Sequence, residues 1–375
     1  MNKKILFAGL TTLSALALTG CSSNKPVANL EVNSESYIIQ KDDKNKDDKE
    51  ATLALEVTLE NTTKKSLDNV YQGDFSLYDK EGNQISPSTD VYDRSGDFQT
   101  MSGFSLNPDK KKTEYLAFKI DRGEKYELHY KPAIYDKSNK DPKDSIVEID
   151  TSKANDASSE VKKLTASYIN QVFLNKTGDA VQLETKEDTV AQNVSTADDK
   201  KEESNLDIDV KKAKENFNAK FSELFVSDLQ SSGSTYEPTS DELKKIISAV
   251  QERNFSEGSV EYNVAELFPT SAIVYVKPKV MDFDTIDMSD FLYKKMDKID
   301  TTDSKKALNT AAKILVQQLP TEIGKADVST PNSMSKEGYK LVLSKTKEGK
   351  WKFDNSDSSD NYDYTDLESA FMAGE

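Results

Sequence analysis

Leu53-Ala54-Leu55-Glu56-Val57-Thr58-Leu59-Glu60-Asn61 decides how the first half of the chain folds. Leu53, Leu55, Val57 and Leu59 alternate with Thr52, Ala54, Glu56, Thr58 and Glu60. A period of two puts the leucines on one face, which predicts a half-buried strand, and Asn61-Thr62-Thr63 reads as its turn. Phe75 and Leu77 alternate in the same way, and Asp79-Lys80-Glu81-Gly82-Asn83 supplies a hairpin loop before Ile85. Leu116, Phe118 and Ile120 form another inward row. Asp121-Arg122-Gly123-Glu124 then turns the chain into a strand on which Tyr126, Leu128 and Tyr130 share a face. Strands at this spacing, with turn residues between them, predict an antiparallel β-sandwich over 36–150. The mixed-charge run Lys41 to Glu50 reads as a solvated loop.

From about Ser158 the period becomes 3.6. Val161, Leu164, Tyr168, Val172 and Phe173 share one helical face. Ala213, Phe217, Phe221, Leu224, Phe225 and Leu229 share another. Thr239 and Glu242 form a capping box for a helix carrying Leu243, Ile246, Ile247 and Val250. Two strand-like runs follow, 260–268 and 272–281. Leu308, Ala311, Ala312, Leu315 and Leu319 mark a helix that Pro320 is expected to stop. A closing hairpin turns at Lys347-Glu348-Gly349. Helices first and strands later predict an α+β domain over 158–375, after a polar linker at 151–157. Residues 177–205 are polar and nearly featureless and read as a loop. The fold class is therefore multidomain, an all-β sandwich followed by an α+β domain.

The N-terminus carries a different signal. Lys3 and Lys4 precede an apolar run, Ile5 to Leu18, too short to span a bilayer. Leu18-Thr19-Gly20-Cys21 closes it and resembles the lipobox of bacterial lipoproteins. That resemblance implies cleavage of a signal peptide (residues 1–20) after Gly20, with Leu18, Thr19 and Gly20 read by the peptidase. It also implies a diacylglyceryl group on Cys21, and two acyl chains suffice for a stable membrane anchor. Residues 21–35 then read as a lipidated tether. Cys21 is the one cysteine of the chain, so no intrachain disulfide is expected.

Two longer stretches point to a family. The 53–61 run, Phe75-Ser-Leu-Tyr-Asp-Lys-Glu-Gly-Asn83 and Tyr126-Glu-Leu-His-Tyr-Lys-Pro132 resemble immunoglobulin-like modules of Gram-positive lipoproteins. The ending Tyr339-Lys-Leu-Val-Leu-Ser-Lys-Thr-Lys-Glu-Gly-Lys-Trp-Lys-Phe353 resembles nuclear-transport-factor-2-like or cystatin-like domains. Together they resemble surface lipoproteins carrying domains of unknown function. The family has no agreed catalytic residues, so the resemblance transfers none.

Charge narrows the partners. The formal net charge is −16, and it becomes −18 once Lys3 and Lys4 leave with the signal. Phosphate backbones repel such a chain, so no nucleic-acid partner is expected. His129 is the sole histidine and shares the polar face of its strand with Glu127 and Lys131. One histidine leaves no two-histidine metal cluster, and no P-loop or GxGxxG fingerprint is present, so no cofactor is expected.

Two carboxylate groupings remain. Tyr262, Tyr275, Asp282 and Asp284 could approach a cavity of the kind that nuclear-transport-factor-2-like folds often enclose. Asp282, Asp284, Asp287 and Asp290 form a short acidic cluster in which Asp287 or Ser289 reads as a helix cap. In the acidic tail, Asp354, Asp357, Asp360 and Asp363 are the weak candidates for a metal site. The glycine and ligand pattern of an EF-hand loop are absent there, and Thr365 with Glu368 reads as a cap for a last helix. The expectation is a non-enzymatic, membrane-anchored extracellular lipoprotein that binds or scaffolds an envelope protein, peptide or wall component. The alternative is a small-ligand binder, or a carboxylate and tyrosine enzyme, using a cavity of the second domain.

Overall fold

The computed structural model of the chain describes residues 26–41, 49–94, 98–132, 143–176, 205–299, 301–358 and 360–373. Leu18 to Cys21, most of the charged run after Lys41 and the polar stretch 177–204 lie outside the described residues. The chain divides into two compact units: Met1–Ser158 with Ala265–Ser271, and Ser159–Val264 with Ala272–Glu375.

The first unit contains β1 (Ala28–Ile38), β2 (Glu50–Asn61), β3 (Leu67–Val70), β4 (Phe75–Tyr78), β5 (Gln84–Ile85), β6 (Phe104–Leu106), β7 (Lys111–Asp121), β8 (Lys125–Tyr130) and β9 (Ser145–Asp150). One sheet has the order β1-β2-β7 and another β5-β4-β8-β9, and β3 pairs with β6. β2 runs antiparallel to both neighbours, with Leu53 opposite Phe118 and Leu55 opposite Leu116. A single core cluster takes Leu53, Leu55 and Phe118 from the first sheet and Phe75, Leu77, Leu128 and Tyr130 from the second. Burial of each such side chain stabilises the fold by roughly 1.5–3 kcal/mol, which is what holds two sheets face to face.

The structure departs from the sequence reading in three places here. Residues 28–35, expected as part of the tether, belong to β1. Ala28 and Leu30 are buried and alternate with Asn29 and Glu31, so this stretch has a strand's period. A bulge between Val32 and Ser34 then shifts the inward side, and Tyr37 becomes the core residue. Secondly, β2 is covered on both faces. Thr52 and Ala54 are buried opposite the leucine row, and Ala54 packs in a second cluster with Ile38, Phe98 and Phe268. The segment after β5 runs along β7, with Ser88 N–H donating to the Ala117 carbonyl and Met101 N–H to that of Tyr115. It brings Phe98 against the Tyr115 ring, and Phe268 stacks on Phe98 at 5.3 Å between centroids.

The expected linker is the third departure. Thr151–Lys153 forms a 3-10 turn with the Asp150 side chain accepting from Ser152 N–H. Thr151 is fully buried, and the Tyr37 hydroxyl donates to its carbonyl at 2.7 Å. Asn155 exchanges backbone hydrogen bonds with β1, accepting from Tyr37 and donating to Glu35, each at 2.9 Å. A segment that is polar in sequence is thus fastened by its backbone, which sequence polarity does not register.

The second unit contains α1 (Ser158–Val172), α2 (Val210–Ser231), α3 (Ser240–Ser256), β10 (Ser259–Leu267), β11 (Ser271–Met281), α4 (Met288–Met296), α5 (Ser304–Ile323), β12 (Val328–Ser329), β13 (Tyr339–Lys345), β14 (Trp351–Phe353) and α6 (Tyr362–Ala373). The sheet order is β10-β11-β13-β14, with β12 paired to β11. The Thr239–Glu242 capping box forms as the sequence reads, and Asp287 caps α4. An aromatic core joins the helices to the sheet: the Tyr168 ring lies 4.8 Å from Phe353, and Phe173 lies 5.0 Å from Phe217 and 4.9 Å from Phe371.

Three helical expectations change. Leu224 is 44 % exposed, because the inward row of α2 follows the i+4 series Ala213, Phe217, Phe221, Phe225 and Leu229, which leaves it out. α5 runs through Pro320 to Ile323. A proline one turn from a helix end removes one N–H with little helix left to disrupt, and here its carbonyl still accepts from Gly324. α6 begins at Tyr362, so Thr365 lies inside it and its hydroxyl donates to the Asn361 carbonyl. Glu368 is buried and accepts from the Lys220 ammonium at 2.8 Å instead of closing a cap.

Candidate functional site

The acidic residues of the tail disperse among separate partners. Asp354 accepts from Ser356 N–H at 2.9 Å, and Asp357 pairs with Lys220 at 3.2 Å. Asp363 turns toward β13 and accepts from Lys340 N–H at 2.9 Å, while Asp360 is exposed. Among the described residues, no group of three histidine, cysteine or acidic side chains is placed to hold a metal ion.

The Asp282 grouping is likewise given to local structure. Asp282 accepts from Asp284 N–H and from the Ser329 hydroxyl, at 2.9 and 3.1 Å. Asp287 accepts from Asp290 N–H, and Asp290 forms an ion pair with Lys294. Tyr262 is 8 % exposed, and burial pushes its hydroxyl pKa up. His129 stands between Glu127 and Asp144, at 3.1 and 3.3 Å, with its ring 4.6 Å from that of Tyr78.

Concavity occurs elsewhere. In the first unit a cleft of about 480 Å³ opens between the β4–β5 turn, the end of β7 and the start of β8. Its floor includes Ala51, Ile85, Ile120 and Tyr126. The two turns that frame it need glycine, with φ +83° at Gly82 and +78° at Gly123. The rim carries five carboxylates and three lysines. Lys80 lies 3.2 Å from Glu124, and Lys119 lies 2.8 Å from Asp90. Hydrogen bonds from Asn83, with one from Glu81 N–H, hold the Asp79 carboxyl below the usual range. The Tyr126 hydroxyl accepts from Asp121 N–H at 3.0 Å, which anchors the floor to the rim. These residues come from turns that the sequence reading located singly. It missed the cleft because only the pairing of β4 with β8, Tyr78 opposite Glu127, brings the two turns together.

A second cleft, of about 440 Å³, lies in the other unit between α4 and α5. Ile286, Phe291 and Ala326 form apolar wall there, and Lys298 stands at its edge. Lys325 pairs with Glu322 at 3.0 Å, and Lys295 lies over the Phe291 ring at 4.9 Å. Neither cleft includes Tyr262, Tyr275, Asp282 or Asp284.

Every residue lining the first cleft falls inside a segment with known counterparts. Residues 23–140 match DUF4352, a domain of unknown function. Over 125 residues, a third of this chain, the sequence is 34 % identical to the uncharacterized lipoprotein YcdA of Bacillus subtilis strain 168. That alignment spans 33 % of the relative's own length. The fold is similar to the crystal structure of YcdA from Bacillus subtilis, with a TM-score of 0.58 and 22 % identity. The superposition covers 93 % of this chain and 98 % of that one. The yjhA protein of the same organism is 27 % identical over 33 % of this chain and 93 % of its own, at a TM-score of 0.25, too low to argue from. The chain therefore resembles Gram-positive lipoproteins that carry a domain of unknown function, as the sequence reading expected. Among the described residues, no helix is long and apolar enough to cross a membrane.

Proposed function

We propose that this protein is a lipoprotein held on the extracellular face of the cell membrane by Cys21. In this reading it acts there as a non-enzymatic binding or scaffolding module for an envelope protein, peptide or wall component. We read the first unit as an immunoglobulin-like sandwich and the second as an α+β domain of the nuclear-transport-factor-2-like or cystatin-like kind.

The observation that carries the reading is the first-unit cleft inside the DUF4352 segment. It offers an apolar floor inside a rim of both charge signs, which suits non-covalent recognition of a polar partner with an apolar side chain. The anchor rests on Leu18-Thr19-Gly20-Cys21 and on the lipoprotein relatives.

Proximity labelling from the anchored protein in its own cell tests both parts. Glu81→Lys combined with Lys125→Glu reverses exposed rim charges and is expected to remove a defined subset of labelled partners. Cys21→Ser is expected to abolish acyl incorporation and to change the whole set. An unchanged set in the rim variant sinks the cleft as the binding site, and normal acylation of Cys21→Ser sinks the anchor.

A further inference from the structure

We propose that the open face of the second unit's sheet binds a short, acidic, partly apolar peptide segment of a partner protein. This goes beyond the first-unit cleft and holds whether or not Cys21 is acylated.

β11 buries Val274, Val276, Pro278 and Val280; on its other side, between the buried Ile273 and Met281, lie Tyr275 and Lys277, partly buried, and the exposed Lys279. β13 buries Tyr339, Leu341 and Leu343 and turns Lys340, Val342 and Ser344 the other way. In the β13–β14 ladder Ser344 stands opposite Lys352. The start of β13 joins these rows into one surface. A Cβ on Gly338 would lie 2.8 Å from Lys277 Cγ and 2.6 Å from the Val276 carbonyl oxygen. The Lys277 stem therefore lies directly across Gly338, on the side where Lys340 and Val342 project.

The result is a lysine-bearing face on a chain whose formal net charge is −16. Lys279 and Lys352 are exposed, and Val342 is 40 % exposed between the lysine rows. Among the described residues, none of the ammonium groups of Lys277, Lys279, Lys340 and Lys352 takes part in an ion pair. This contrasts with Lys220, Lys294 and Lys325 of the same unit, each of which has a carboxylate partner. β10, the outermost strand on one side, carries the exposed Glu261, so the lysines gather over β11, β13 and β14.

Size and charge select the occupant. Lysines two apart on a strand are about 7 Å apart, and adjacent strands about 5 Å. The patch is thus about 10 Å across its three strands and about 14 Å along β13, less than two Debye lengths of about 8 Å at physiological ionic strength. A long polyanion or an anionic membrane plane extends past it into the field of an acidic chain and is repelled. A short peptide stays within it. The face also lacks arginine, whose fork suits phosphate, and offers Val342, which an apolar side chain can cover.

The test uses the chain from residue 22 onward, which contains every described residue. The probe is a fluorescein-labelled peptide, Gly-Ser-Glu-Leu-Glu-Asp-Leu-Glu-Gly-Ser, followed by anisotropy. Saturable binding that weakens with salt is expected. Lys279→Glu with Lys352→Glu should reduce affinity roughly tenfold or more, the scale of reversing two contacting charges. Lys279→Gln with Lys352→Gln should fall between, and it decides the matter if the glutamate pair does not fold. Lys64→Glu, exposed in the first unit and outside its cleft, should change nothing. No saturable binding, or binding unmoved in a folded double variant, overturns the proposal. So does tighter binding to polyphosphate or to phosphatidylglycerol vesicles than to the peptide.

Discussion

β2 in the first unit and β13 in the second are both inner strands of their sheets, yet their second faces end differently. Opposite its leucine row, β2 presents Thr52, Ala54 and Thr58, all buried. Opposite Tyr339, Leu341 and Leu343, β13 presents Lys340 and Ser344, which are partly buried, and Val342, which is 40 % exposed. Around Ala54, where the side chains are small and uncharged, a second layer settles on β2, as Phe98 and Phe268 do, while Glu56 and Glu60 further along the same face stay partly exposed. Ammonium groups on β13 resist such a layer, because burying an unpaired charge is costly. The lesson is that the non-leucine positions of a strand carry information. Threonine and alanine there permit a cover, whereas lysine reserves the face for solvent or for an acidic partner.

The strongest way to break this comparison is to exchange the chemistry. Ala54→Lys places a charge in the covered face of β2 and is expected to destabilise the first unit by about 4 kcal/mol or more, the scale of a buried unpaired charge. Val342→Lys on β13 should stay within about 0.5 kcal/mol. Urea unfolding followed by circular dichroism measures both, and an Ala54→Lys protein as stable as the parent denies that β2 is covered.

Gly338→Ala sharpens the second half of the comparison. Gly338 has φ +106°, and a Cβ would meet the Val276 carbonyl oxygen at 2.6 Å. A loss of roughly 2 kcal/mol is expected from strain and displacement of β13 from β11. An unchanged unfolding midpoint would show that Lys277 does not lie across this glycine.

The smallest effect concerns β1, the other neighbour of β2. Burial, with repulsion from Asp150, pushes the Glu35 carboxyl up to about 7 against an opposing pull from Lys153. Its Oε2 is enclosed without a hydrogen-bond partner among the described residues. A raised folded-state pKa means the native protein holds this proton more tightly than the unfolded chain does. The resulting stabilisation is complete below pH 4.5 and is lost as pH rises through about 7. Glu35→Gln should therefore match the parent at pH 4 and exceed it by roughly 1–2 kcal/mol at pH 8. Equal stabilities at pH 8 would remove the buried-carboxyl reading of β1.

Periodicity and local hydrogen bonding were legible in the residues. The leucine row of β2, the Thr239–Glu242 box, the Asp287 cap and the glycine turns at 82 and 123 each depend on neighbours within a few positions. The lipobox reading of Leu18 to Cys21 belongs to the same class and stays with the sequence, since those residues lie outside the described ones. What remained hidden depends on partners far along the chain. Residues 28–35 become strand because β2 offers an edge, and the 151–157 stretch is fastened because Tyr37 reaches Thr151 across 114 positions. Asp357 and Glu368 are claimed by one lysine on α2, and the cleft appears where the turn after β4 meets the turn before β8. The leucine period of β2, the Thr239–Glu242 and Asp287 caps and the glycine turns are specified by residue order, because they follow from φ/ψ preference and nearest-neighbour hydrogen bonds. Which faces are covered, and which of the described lysines have a carboxylate partner, follows from the folded chain, because burial and ion pairing depend on what another part of the chain brings near.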